Sequence, residues 1–154
     1  MSTRCQIIVE GSDAVVYRHS DGYPDGACGV VKTLKPIVEN FIRWRGFDEC
    51  YLPAHIVADM IAVHKKDMDK TIRKMKKAGT PAANLSAYES AKYLGYGVEA
   101  YKADDENALH GDLEFLYVVK KNGTIEVRSC FTDNDGPCNI GNTKLVKTVK
   151  YKAK

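Results

Sequence analysis

Within ten residues, Tyr17-Arg18-His19-Ser20-Asp21-Gly22-Tyr23-Pro24-Asp25-Gly26, the chain gathers one imidazole, two carboxylates, two phenols and two glycines. The stretch follows an apolar run (Ala14, Val15, Val16) and precedes a helical one, so its polar groups fall where a strand hands over to a helix. Such junctions host chemistry because a rigid scaffold holds a short loop with free backbone amides. A second stretch, His110-Gly111-Asp112-Leu113-Glu114, sets an imidazole and two carboxylates at alternate positions. On a strand these would share one face at steps of roughly 7 Å.

If the two stretches meet, the pocket combines two imidazoles, His19 and His110, with three carboxylates, Asp21, Asp112 and Glu114. That inventory suits a divalent metal ion (magnesium, manganese or zinc) held by Asp21, Asp112 and Glu114, or a metal-free acid–base pair in which His19 or His110 handles the proton. Tyr17, Tyr23 and Tyr117 are candidate ligand-binding residues, since phenols stack on a base or hydrogen-bond a phosphate. Arg18 is a candidate anion clamp if the loop turns it inward. The ordinary alternative makes each His a hydrogen-bonded strand-end residue and each Asp a turn former, and gives Tyr17 and Tyr117 core positions with surface hydroxyls. Asp21-Gly22 and Asp25-Gly26 are turn signatures in their own right. Clustering is what favours a site.

These groups need positioning elements. Residues 5–10 form a β-branched run, Gly11-Ser12-Asp13 supplies turn chemistry, and residues 14–19 resume the run, which predicts a hairpin. Alternation puts Val15, Tyr17 and His19 on one face and Val16 and Arg18 on the other. Ala27, Val30, Val31, Leu34, Val38 and Phe41 then recur at helical spacing up to Gly46, and Pro36 interrupts the pattern: either a short first turn precedes the true helix or, the favoured reading, the helix kinks there. Pro53 opens a long helix whose apolar stripe is Ile56, Val57, Met60, Ile61, His64, Met68, Ile72 and Met75, ending near Gly79. Its other side carries Lys65, Lys66, Lys70, Arg73, Lys74, Lys76 and Lys77. With Asp59, Asp67 and Asp69 interspersed, a solvated face is the ordinary account, and a surface turned to an anion or a nucleic acid is the alternative.

Ser86-x-x-Glu89 resembles a capping box opening a short helix through Leu94, closed by Gly95. Residues 98–102 read as a short strand, and an acidic loop with Asp104, Asp105 and Glu106 follows. Residues 110–119 read as the best strand of the chain, apolar on both sides over its second half and therefore central. Asn122-Gly123 signals a two-residue hairpin turn, which would pair Val118 with Val127, Leu116 with Ser129 and Glu114 with Phe131. Residues 132–142 are turn-rich. Residues 144–152 make a final strand with a basic edge, as edge strands use lysine to discourage aggregation.

Several patterns fail. Asp133-Asn134-Asp135-Gly136 looks like part of a calcium loop, but Phe131 and Asn142 occupy its first and last ligand positions. His55 and His64 are nine apart and cannot form the i, i+4 pair of a zinc helix, so His64 reads as packing. The five cysteines form no CxxC pair and fit free thiols in a reducing compartment better than a disulfide framework. There is no phosphate-binding glycine loop and no nucleophile elbow. With 154 residues, 44% of them hydrophobic, the chain suits a single domain spanning residues 1–154. No run approaches the roughly 18 apolar residues that cross a bilayer, and no signal-type region opens the chain, so a cytoplasmic protein without a membrane partner is expected. A net charge of +3 is too small to mean nucleic-acid binding by itself.

Tyr-Arg-His-Ser-Asp-Gly-Tyr-Pro at 17–24, following Ser-Thr-Arg at the N-terminus and paired with His-Gly-Asp-Leu-Glu-Phe-Leu-Tyr at 110–117, resembles a group of small proteins encoded by bacteriophages, prophages and plasmids. The group has no settled activity. The resemblance implies a mobile-element protein working in the cytoplasm of a bacterial host. Together these readings predict an α+β fold: an antiparallel sheet of five or six strands, with two hairpins bracketing about three helices packed mainly on one face. The expected function is that of a phage-type accessory protein whose His/Asp/Glu pocket acts on or captures a nucleotide or other phosphate-bearing ligand, with metal-assisted phosphoester hydrolysis as the enzymatic version. The alternative is a non-catalytic inhibitor or ligand-sequestering, anti-defence protein that binds host machinery through the basic helix. An oligomeric structural or nucleic-acid-coating role, using the basic helix and tail, is a third.

Overall fold

A computed structural model describes residues 3–26, 28–91, 95–105, 107–130 and 139–153. Expectations for Ala27, Leu94, Glu106, Phe131, the Asp133–Gly136 turn and Cys138 therefore lie outside the described residues, as does Ser2. The elements run β1 (Cys5–Val9), β2 (Ala14–Arg18), α1 (Val30–Arg45), α2 (Leu52–Lys77), α3 (Ala82–Ala91), β3 (Tyr96–Ala100), β4 (Phe115–Val119), β5 (Thr124–Ser129) and β6 (Lys144–Lys150), with a 3-10 turn at Ile140–Asn142. The strands form one sheet in the order β3-β2-β1-β4-β5-β6. The fold is α+β, as the sequence pattern predicts. All pairings are antiparallel except β1 with β4, which is parallel and makes the sheet mixed.

The parallel pair follows from the path of the chain. After β3 the chain returns across the face opposite the helices, where Tyr101, Leu109 and Leu113 pack on Ile8, Val15, Leu116 and Val118. The return ends at the start of β1, where the Arg4 carbonyl accepts the Glu114 and Phe115 amides at 3.0 and 3.3 Å. On the other face α1 and α2 cover Cys5, Ile7, Val9, Val16, Tyr117, Val119, Ile125 and Val127 in the larger core. β1 is buried along its whole length because both its faces are covered.

α1 runs through Pro36 as one helix and buries Val30, Leu34, Ile37, Val38, Phe41 and Ile42. α2 buries Leu52, Pro53, Ile56, Met60 and Ile72, with Val57, Ile61, His64, Met68 and Met75 half-buried, so the apolar stripe holds but thins toward the C-terminus. Two local expectations are corrected. Ser86 and Glu89 lie inside α3 and do not open it; the helix starts after Pro81, whose carbonyl accepts the Asn84 and Leu85 amides. The β4–β5 turn has three residues rather than two: the Lys120 amide donates to the Thr124 carbonyl, and Gly123 takes φ +90°. The register is therefore one residue away from expectation, with Tyr117 opposite Val127, Val118 opposite Glu126 and Leu116 opposite Arg128.

Candidate functional site

The first polar stretch begins as the end of β2. Arg18 opposes Tyr96 of the edge strand β3, and the His19 amide donates to the Gly95 carbonyl at 2.7 Å. At Gly22 the chain doubles back against β1: the amide donates to the Thr3 carbonyl at 2.9 Å, and an added Cβ would lie 2.7 Å from that carbonyl oxygen and 2.9 Å from the Cys5 Cβ. Only glycine fits so close an approach. Tyr117 fixes the same turn, its hydroxyl donating to the Gly22 carbonyl at 2.6 Å. It is wholly buried, and burial pushes its phenol far up. Tyr117 is thus a strut between the two stretches, with a core position as expected but a buried hydroxyl.

A cavity of about 590 Å³ opens beside this junction, lined by Tyr17, Arg18, His19, Ser20, His64, Gly95 and Tyr96. Consecutive strand residues face opposite sides of a sheet, but here β2 runs out beside the edge strand, so side chains from both faces reach one hollow. Arg18 is only 6% exposed. Its Nε donates to the Ser20 carbonyl at 2.9 Å and its Nη2 to the Cys28 carbonyl at 3.1 Å, with the guanidinium 5.9 Å from the centre of the Tyr96 ring. Among the described residues no carboxylate lies within ion-pair distance of it. His64, from α2, meets Tyr96 edge-on at 5.8 Å, and its buried Nε2 has no hydrogen-bond partner among the described residues. A smaller hollow of about 130 Å³ adjoins, where Asp21, Cys28, Thr33, Asp67 and Thr71 join Arg18, His64 and Tyr96.

On the face away from the helices, the Tyr17 hydroxyl lies 3.0 Å from His19 Nδ1, and the Tyr17 ring stacks on His110 at 4.5 Å and 15°. Burial raises the Tyr17 phenol, the Asp112 carboxylate adds to this, and the Arg4 guanidinium opposes it. Being protonated, the phenol can donate to Nδ1, which leaves His19 presenting Nε2–H. His110 Nε2 lies 2.8 Å from each carboxylate oxygen of Glu99, which accepts only, so this nitrogen carries its proton. The His110 amide donates to Oε1 of fully buried Gln6 at 3.0 Å, and Gln6 Nε2 has no partner among the described residues.

The two stretches therefore meet through Tyr17–His110 and Tyr117–Gly22, but their carboxylates do not converge. Residues 110–114 form a turn and an approach to β4 instead of a strand, so His110, Asp112 and Glu114 do not line one strand face. Asp112 turns to Arg4, 3.4 Å away. Glu114 contributes backbone, accepting the Cys130 amide at 2.9 Å. Asp21, at φ 56°, sits on the α2 side and accepts from the Tyr23 hydroxyl at 3.3 Å. Among the described residues no group of three His, Cys, Asp or Glu could hold a metal ion, so the expected set of Asp21, Asp112 and Glu114 is not assembled.

No family model, curated protein or solved structure matches the chain. The site must therefore be read from its own chemistry. Sequence reasoning placed Tyr17, Arg18 and His19 in it and missed Glu99, Tyr96 and Gln6, which no local pattern marks. His64 carried the one usable signal, an imidazole on an otherwise apolar stripe.

Proposed function

We propose that the cavity beside the ends of β2 and β3 captures a phosphate-bearing ligand, with a nucleotide as the class whose two parts match its lining. The single observation that carries this reading is Arg18, a buried cation whose only hydrogen-bond acceptors among the described residues are the carbonyls of Ser20 and Cys28. A buried charge is ordinarily paired, and an unpaired one in a cavity wall is complementary to an anion that enters. His64 Nε2, without a partner among the described residues, and His19, with Nδ1 engaged by Tyr17, supply further polar contacts. The Tyr17 and Tyr96 rings offer apolar walls for a base.

The resemblance to phage and plasmid proteins suggests the setting, a mobile-element accessory protein acting in a bacterial host. There, sequestering a host nucleotide would serve anti-defence. Turnover is the enzymatic extension of the same site: water would attack the phosphorus as the P–O bond to the leaving group breaks, His19 would protonate the departing oxygen, and the proton released by the water would restore His19. Inhibition of a host protein is the second reading, and it is favoured by Trp44, 80% exposed beside Arg45, whose guanidinium lies 4.1 Å from the centre of the exposed Tyr51 ring.

Thermal denaturation against inorganic phosphate, pyrophosphate and nucleoside mono-, di- and triphosphates tests capture, because a ligand of the native state raises the midpoint. A rise with a nucleotide that is larger than with phosphate is expected. No rise with any of them would refute the reading. Incubation with excess nucleotide separates the versions: a binder saturates at its own concentration, whereas an enzyme consumes the excess.

A further inference from the structure

The second half of α2 does something the cavity does not require. Lys66, Lys70, Arg73 and Lys77 follow one another at i, i+4, i+7 and i+11. At about 100° per residue they fall within a sector of roughly 60°, opposite the stripe of Met60, His64, Met68 and Met75. All four are exposed. Among the described residues none of the four has an ion-pair partner, although Arg4, Arg45, Lys120, Arg128 and Lys147 each have one. A row of four cations without an ion-pair partner among the described residues thus stands on the exposed side of α2, opposite its packed stripe.

We infer that this row is a docking surface for the phosphate backbone of a nucleic-acid duplex. At a rise of about 1.5 Å per residue the row spans about 16 Å, over which a duplex strand presents about five phosphates at ~3.4 Å of axis each. Four cations against about five phosphates is close charge matching. An anionic membrane fits less well, since an interfacial helix needs a free apolar face and that of α2 is packed at Ile56, Met60 and Ile72, with Met68 and Met75 half-buried. A single strand fits less well too, because no aromatic residue stands within the row to stack bases. The contact reads backbone charge, so it carries no sequence preference.

The test is binding of the full chain to a labelled 20-base-pair DNA duplex across salt concentrations. Neutralising about four phosphates gives a slope of log affinity on log salt near −3.6, about a 10²-fold loss between 50 and 200 mM salt. The variant K66Q/K70Q/R73Q/K77Q, with its helix content checked by circular dichroism, should bind at least about 10²-fold more weakly at low salt, with a slope near zero. A control of equal charge change elsewhere, K32Q/K102Q/K144Q/K150Q, should keep most of the affinity and the slope. The inference is overturned by absence of duplex binding at low salt, by equal losses in the two variants, or by equal competition from phosphatidylserine vesicles or polyglutamate.

Discussion

Replacing Arg18 with methionine should separate the stability of the fold from its capacity to bind. The change removes the charge and keeps a side chain of similar reach. The carbonyls of Ser20 and Cys28 lose their donors, at a cost of about 1.5–3 kcal/mol for each charge-assisted bond. Against that, the several kcal/mol spent on holding an unpaired guanidinium out of water is recovered. The terms nearly cancel, so the unligated midpoint should stay within about 2 kcal/mol of the parent, roughly 4–8 °C for a chain of this size. Binding should behave otherwise. Losing one buried charge-assisted contact to phosphate, about 1.5–3 kcal/mol, weakens the dissociation constant by about 10- to 100-fold. At a ligand concentration 100 times the parent's dissociation constant, the parent gains about 2.7 kcal/mol and a variant weakened 100-fold about 0.4 kcal/mol. Differential scanning fluorimetry with and without nucleotide reads both quantities. Arg18→Met that destabilises the unligated protein by more than about 4 kcal/mol while leaving the ligand-induced rise intact would show Arg18 to be a structural strut and not an anion-binding group.

Gly22→Ala should cost about 2–3 kcal/mol by chemical denaturation, because its methyl meets the Thr3 carbonyl and the Cys5 Cβ in a backbone approach with no flexible group to yield. Maleimide should label Cys28 and Cys50 in the native protein, while buried Cys5, whose thiol burial pushes up to about 12, should react only on unfolding. Peptide mass spectrometry would show this, and nucleotide in the cavity should slow labelling of Cys28 without affecting Cys50. Glu10 is held below the ordinary carboxylate value, first by the Lys121 amide and then by Lys120. Its contribution is therefore present above about pH 4.5 and lost as the pH falls through its lowered value. Glu10→Gln should reduce stability at neutral pH by no more than about 1 kcal/mol, since the group is half-exposed, and should flatten the acid limb of the stability curve.

The parts of the fold legible from the sequence were those set by local chemistry. The β1–β2 hairpin declares itself through two β-branched runs around Gly11, and α2 through a stripe maintained over seven turns. The errors have tertiary causes. His-x-Asp-x-Glu alternates as a strand would, but residues 110–114 belong to the crossing that carries the chain back to the start of β1, and that parallel join leaves no local trace. In the β4–β5 turn, Gly123 adopts positive φ as the third loop residue, and one residue of difference exchanges every partner. At the site, Tyr17, Arg18 and His19 could be found because they are neighbours in the chain. Glu99 and Tyr96 arrive through the pairing of the edge strand β3 with β2, and His64 through the packing of α2 over both.

The placement of the cavity explains how one short run supplies groups of opposite character. Inside a sheet, Arg18 would be divided from Tyr17 and His19 by the strand itself, one facing the helices and the others the crossing segment. β2, however, runs out beside an edge strand, Tyr96 of β3 faces Arg18, and the hollow wraps around that margin. The guanidinium can therefore be desolvated among helix-face groups while His19 is oriented from the other side by Tyr17, itself stacked on His110 and tied through it to Glu99. Each group takes its character from a different face, and a ligand in the hollow meets both. This also accounts for Gly22 and Tyr117, which touch no ligand in this scheme. They fix the angle at which the chain leaves β2, and a loop leaving at another angle would return Arg18 and His19 to separate sides of the sheet.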